Sequence, residues 1–146
     1  MPQASVVTSS AAASLRAAPP QCVCSWEAGG SEAAWVHVSG ELDHASAPKL
    51  SQTVHDARLH ARLVVLDLRE VTFMESSAVH VILDAAGDAR ETGGRLILVR
   101  GPTHVDSVLT LTGACEEVEI FDLAPSEPPA QVLLHLAQRG ERKWHR

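Results

Sequence analysis

Tyrosine is absent and aromatic residues are scarce, with two phenylalanines and three tryptophans in 146 residues. Any core must therefore be built from Val, Leu, Ile and Ala. With 45% hydrophobic residues the chain has enough of them for one ordinary globular domain. No apolar run approaches the ~20 residues that a membrane-spanning helix requires. Basic charge is not in excess either: 12 Lys and Arg stand against 18 Asp and Glu, a net charge of −6. General nucleic-acid binding needs a basic footprint, so that class is excluded, whereas a basic partner surface suits this balance.

Cysteine is also sparse, and its three copies are an odd number. Cys22 and Cys24 are two apart, which puts both thiols on one face of a strand, and Cys115 stands far away. No His/Cys cluster completes a zinc site, so idle thiols in a reducing cytoplasm are expected. Residues 1–21 are rich in Ala, Ser and Pro but lack a basic segment followed by an apolar one. That composition predicts a disordered leader and not a signal peptide. The basic end, 139–146, predicts a frayed tail. Residues 22–138 remain as the folded unit.

What is present is a regular alternation of strand-like and helix-like runs. Residues 23–28 and 33–38 are β-prone around Gly29-Gly30-Ser31 and predict a hairpin. A polar connection follows at 40–44. Ser46 reads as an N-cap, with Pro48 in the first turn of a helix over 47–60 whose stripe is Leu50, Val54, Ala57 and Leu59. Residues 62–68 are almost continuously apolar, as in a strand buried on both faces. After Val71–Met74 comes a helix over 77–91 with Val79, Ile82, Leu83 and Ala86 inward and Gly93-Gly94 as its stop. A second buried strand (95–99), a helix from Pro102 to near Gly113, and a short strand (118–121) complete the central part. A last helix is expected to be capped by Ser126 and to pack through Val132, Leu133 and Leu136. The order β-β-α-β-α-β-α-β-α predicts a single α/β domain: a mixed central sheet with about four packed helices.

The chemistry concentrates at Phe73-Met-Glu-Ser-Ser-Ala-Val79, where a strand gives way to a helix. Ser76 or Ser77 at a helix N-terminus is expected to act as a cap. The same position tolerates a phosphate, because the first turn offers unpaired N–H groups and partial positive charge. A nucleophilic serine is disfavoured, since the nucleophile elbow needs glycines that Glu75-Ser76-Ser77-Ala78 lacks. No Gly-rich phosphate loop is present, so intrinsic kinase or ATPase activity is not expected. His80 and Asp84 lie i,i+4 without an evident third metal ligand. His55 and His60 suit the dipole at the first helix's end. Trp26 and Trp35 are expected to pack, and no cofactor is implied.

Two separated motifs resemble those of STAS domains, and of the bacterial anti-sigma factor antagonists among them. Residues 39–44, S-G-E-L-D-H, resemble the family's early G-E-L-D turn, and 66–79, L-D-L-R-E-V-T-F-M-E-S-S-A-V, its F-x-D-S-S-G-L signature. The likeness continues through G-G-R-L-I-L-V and V-L-T-L-T-G-A and spans about 22–138. It implies a cytoplasmic binding module, not an enzyme. Such a module docks on an anti-sigma factor of the ATPase-type serine kinase class and frees the sigma factor. Phosphorylation of the first serine of the motif, here Ser76, blocks docking, and a PP2C-type phosphatase restores it. The implied partner surface comprises Glu41, Asp43, Met74, Glu75, Ser77, Ala78, Val79 and His80, with no direct role for nucleic acid or membrane. Glu75, Ala78 and Val79-His80 stand where the family carries Asp, Gly and Leu-Gly. A non-phosphorylated STAS scaffold in a sensor or transporter accessory complex is the alternative.

Overall fold

The structure, a computed structural model, describes residues 22–29 and 32–138. The expected leader, the expected tail and the hairpin residues Gly30 and Ser31 lie outside the described residues. Five strands form one sheet in the order β1 (Val23–Ala28), β2 (Ala33–Leu42), β3 (Leu63–Met74), β4 (Arg95–Val99) and β5 (Glu119–Phe121). The β1–β2 pair is antiparallel and the other three pairings are parallel. Helices α1 (Ala47–His60), α2 (Ser76–Glu91) and α3 (Thr103–Leu111) make the crossovers, and α4 (Gln131–Gln138) follows β5.

Because strand order equals chain order, each crossover steps in the same direction across the sheet. Crossovers of one hand then put their helices on one face. The core shows this. Leu50, Val54 and Ala57 of α1, Ile82 and Ala86 of α2, and Val105 and Leu109 of α3 share a cluster with Val64, Leu66 and Leu68 of β3. The opposite face needs its own cover, which α4 supplies: Val132 and Leu136 pack with Leu63, Val65, Ile97, Val99 and Trp35. Strands β3 and β4 are thus buried on both sides, which explains their nearly unbroken apolar sequence.

β3 is longer than the two apolar pieces, 62–68 and 71–74, that its sequence suggests. Two irregularities join them. His37 pairs with Asp67 but Ser39 with Glu70, and Gly40 pairs with Val71 but Glu41 with Phe73. Each step leaves one extra residue on β3, the second being Thr72. Bulges of this kind shift which side chains face inward. Val64, Leu66 and Leu68 face the larger cluster, then Val71, then Met74. The expected polar connection at 40–44 is therefore partly strand, since β2 runs through Gly40 to Leu42. Gly40 adopts φ +89° at the second irregularity, a conformation that glycine takes without strain.

Several expected caps and contacts differ. Ser46 stands at the N-cap of α1 as expected, but it has helical backbone angles and its side chain makes no capping bond to the helix. The side-chain bond comes from Asp43, three residues earlier, whose Oδ1 accepts from the Ser46 amide (3.0 Å) while Ser46 Oγ accepts from the Asp43 amide (2.9 Å). This reciprocal pair is a capping box, and the Ala47 amide to the Asp43 carbonyl (3.0 Å) closes the first turn. Leu59 is exposed, because it falls off the Leu50/Val54/Ala57 stripe, and Leu83 is half-buried. Ser126 lies in a turn ahead of α4, and the residue bonded there is Glu127, which accepts from the Ala124 amide. The α2 stop is as expected. Gly93 has φ +83°, its amide reaches the Arg90 carbonyl, and that of Gly94 reaches Ala89, a Schellman ending.

One buried ion pair ties β3 to the segment before α4. Arg69 bonds both oxygens of Asp67 (3.0 and 2.8 Å) and donates to the carbonyls of Ala124 and Glu127 (2.6 and 2.7 Å). Cys22 and Cys24 lie with their sulfurs 3.3 Å apart, and burial pushes the Cys24 thiol up to about 12. Trp35 is buried among the residues under α4, and Trp26 stacks on the His60 ring (centroids 5.0 Å apart).

Candidate functional site

The C-terminal ends of β2 and β3 are adjacent, ending on the pair Leu42 and Met74. The two segments that the sequence marks, Glu41–Asp43 and Glu75–His80, emerge there side by side. One backbone bond continues the ladder past its end, from the Glu75 amide to the Leu42 carbonyl (2.9 Å). One side-chain bond crosses between the segments: Glu75 Oε1 accepts from the His44 amide (2.9 Å). Asp43, Ser46 and the Glu41 carbonyl form a closed local network, since Ser46 Oγ also donates to the Glu41 carbonyl (3.0 Å). Hydrogen bonds from the Ser46 hydroxyl and amide hold the Asp43 carboxyl below its ordinary value.

Neither serine is a cap. Glu75 occupies the N-cap position with extended backbone (φ −104°, ψ 165°) and makes no capping bond. Ser76 is the first helical residue and is exposed, whereas the Oγ of Ser77 is buried without a hydrogen-bond partner. The two hydroxyls therefore differ in access although they are neighbours in sequence. Helix α2 begins at the sheet's end because β3 terminates there and Ala78 and Val79 can drop directly into the core.

That same packing corrects three residues of the expected partner surface. Met74, Ala78 and Val79 are at most 3% exposed and belong to the core cluster. They position α2 and offer no surface. Glu75 and His80 are exposed, and Glu41, Asp43 and Ser77 are partly so. The methyl of Ala78, in place of a glycine, faces inward. Phe73, which sequence reasoning passed over, is 43% exposed and pairs in register with Glu41. Strict alternation from Leu66 and Leu68 already puts Met74 inside and Phe73 outside; the two bulges cancel by that point and displace only the stretch between them, where Val71 faces in. The carbonyl of the bulged Thr72 accepts from His104 Nε2 on α3.

Other groups give little chemistry. Among the described residues no cluster of three or more His, Cys, Asp or Glu has the placement to hold a metal. No helix among them is long and apolar enough to cross a membrane. A cleft of about 110 Å³ between α1 and α2 is lined by His55, Arg58, Asp84 and Asp88 among others.

The family model described as STAS domain matches residues 28–125. The chain is 27% identical over 86 residues to the anti-sigma-B factor antagonist of Listeria monocytogenes, covering 58% of this chain and 75% of that relative. It is 29% identical over 89 residues to the anti-sigma F factor antagonist of Paenibacillus polymyxa, covering 60% and 76%. It is also similar to the osmosensory protein A of Mycobacterium tuberculosis, at 28% over 109 residues, covering 74% and 67%. Among solved structures, the unphosphorylated anti-sigma factor antagonist SpoIIAA superposes with a TM-score of 0.64 at 20% identity, covering 82% of this chain and 99% of SpoIIAA. An anti-sigma factor antagonist from Mycobacterium paratuberculosis gives 0.62 at 21%, covering 79% and 95%.

Proposed function

The chain belongs to the STAS domain family, and on that premise we propose that it is an anti-sigma factor antagonist switched by phosphorylation of Ser76. In this reading the surface formed by Glu41, Asp43, Phe73, Glu75, Ser76 and His80 docks on an anti-sigma factor of the ATPase-type serine kinase class, in the cytoplasm, and the sigma factor is released. The observation that carries the reading is the accessibility of Ser76. Its residue is exposed at the first position of α2 while the Ser77 hydroxyl is buried. A kinase can reach one and not the other.

The chemistry is ordinary phosphoryl transfer. The Ser76 Oγ attacks the γ-phosphorus of ATP held by the partner, the bond to ADP breaks, and the hydroxyl proton passes to a base on the kinase. The product adds about −1.5 to −2 charges at the helix N-terminus, where unpaired N–H groups tolerate it. The surface around it is already acidic, with Glu41, Asp43 and Glu75 beside the serine. A partner that bound this surface through basic residues and apolar contact with Phe73 would lose its fit to the bulkier group. A PP2C-type phosphatase reverses the step by transferring the phosphoryl group to water, which yields inorganic phosphate.

The test uses the purified cognate anti-sigma kinase with ATP, and intact mass as readout. Wild type is expected to gain one phosphate and Ser76→Ala none; equal incorporation in both removes the assignment. Ser76→Asp is expected to weaken capture of the anti-sigma factor, and unchanged affinity would remove the switch. One feature favours a second reading, a constitutive STAS scaffold in a sensor or transporter accessory complex. The residues flanking Ser76 differ from the signature that a family kinase would meet, with Glu75, Ala78 and His80 in place of Asp, Gly and Gly. In that case no kinase modifies the chain and the surface binds its partner in a single state.

A further inference from the structure

We propose that Glu75 is a tether that couples the state of Ser76 to the β2–α1 turn. The proposal rests on the phospho-switch reading above. N-cap positions favour Asp, Asn, Ser and Thr, whose short side chains bond the first-turn amides; a Glu there is a poor cap. Glu75 indeed makes no capping bond. Its longer arm instead spans to the His44 amide at 2.9 Å, a residue 31 positions away in sequence. The turn it holds is a self-contained unit, closed by the Asp43–Ser46 box. The neighbouring link, from the Glu75 amide to the Leu42 carbonyl, is main chain and belongs to the strand ladder. Removing the carboxylate bond therefore frees the turn without unpairing β2 from β3.

A phosphate on Ser76 puts a second anion on the residue next to the Glu75 carboxylate. Repulsion drives that carboxylate away, and the His44 amide loses its acceptor. Asp43 and His44, beyond the end of the β2–β3 ladder, then cease to be held in fixed register with Ser76. Phosphorylation in this mechanism does more than block contact at one atom, because it loosens the second half of the docking surface. Aspartate at position 75 would cap α2 well but fall short of His44. Glutamine would keep the reach and an acceptor oxygen while removing the charge that phosphate repels.

The experiment compares amide hydrogen exchange and the ¹H–¹⁵N signal of His44 in the full chain. Phosphoserine is placed at position 76 by encoded incorporation, so that no kinase is needed. In the unmodified chain, Glu75→Ala and Glu75→Asp are expected to speed His44 exchange by roughly tenfold, the factor that corresponds to about 1.4 kcal/mol. Glu75→Gln should retain the protection. Phosphoserine should speed exchange in the Glu75 chain and leave it slow in Glu75→Gln. Equal His44 exchange in wild type and Glu75→Ala overturns the tether, as does equal release by phosphoserine in the wild-type and Glu75→Gln backgrounds. A phosphoserine chain that still binds the anti-sigma factor at full affinity would overturn the switch reading instead, while the exchange data decide the tether separately.

Discussion

Ala78→Gly restores the residue that the family signature carries and separates two roles for position 78. Ala78 is fully buried at the third residue of α2, with its amide bonded to the Glu75 carbonyl at 3.0 Å. Its methyl lies in the cluster with Val36, Val71 and Met74, not on the surface. Removing a buried methyl costs about 0.8 kcal/mol. Glycine's extra freedom in the unfolded chain costs a further ~0.5–1 kcal/mol in a helix. Together they predict a loss of about 1.5 kcal/mol. With a urea m-value of about 2 kcal/mol/M, typical of a domain this size, the midpoint falls by about 0.7 M. Equilibrium urea unfolding followed by far-ultraviolet circular dichroism measures this directly, with the wild-type slope as control. The affinity for the anti-sigma factor should not change, because the methyl does not reach the surface. An unchanged midpoint together with altered binding would refute the reasoning and mean that position 78 faces the partner.

Two further outcomes follow from the same structure. Arg69→Ala should destabilise the fold by about 3–5 kcal/mol, because it leaves the buried Asp67 carboxylate without its cation; paired replacement by Asp67→Leu and Arg69→Met should recover most of the loss in the same unfolding assay, and a single-variant loss below ~1 kcal/mol would show the pair to be dispensable. Hydrogen bonds from Ser46 hold the Asp43 carboxyl below its ordinary value, so its stabilising contribution is complete above that ordinary value and disappears as pH falls through the lower folded one. The stability difference between wild type and Asp43→Asn should therefore shrink progressively in acid, below about pH 4; a difference that holds constant to the lowest pH would show that the box does not depend on the charge.

Much of the architecture was legible in the chain itself. Periodicity placed α1 at the residues where it occurs, Gly93-Gly94 marked the end of α2, and the continuous apolar runs of β3 and β4 announced strands covered on both faces. These features depend on local rules: side-chain period, backbone freedom of glycine, and the need to bury aliphatic surface. The two acidic and serine-bearing motifs were legible for the same reason, as short contiguous words. Capping was less so. Ser46 stands at the N-cap of α1 but makes no capping bond, while Glu75 and not Ser76 holds the N-cap of α2, because where a helix begins depends on where the preceding strand stops pairing.

On its own, then, the sequence determined the order of elements, the sheet's mixed character and the segment that carries the two adjacent serines. Only the tertiary structure decided which side chains of that segment are surface. The two extra residues of β3 turn Val71 inward and then restore the alternation that puts Met74 in and Phe73 out, and no local window of sequence reveals a pairing made with β2 some thirty residues earlier. The same long-range pairing brings His44 to Glu75 and leaves Ser76 open while Ser77 is closed. Hydrogen bonds and burial of this kind belong to neighbours in space, and the chain specifies them only through the fold that joins its distant parts.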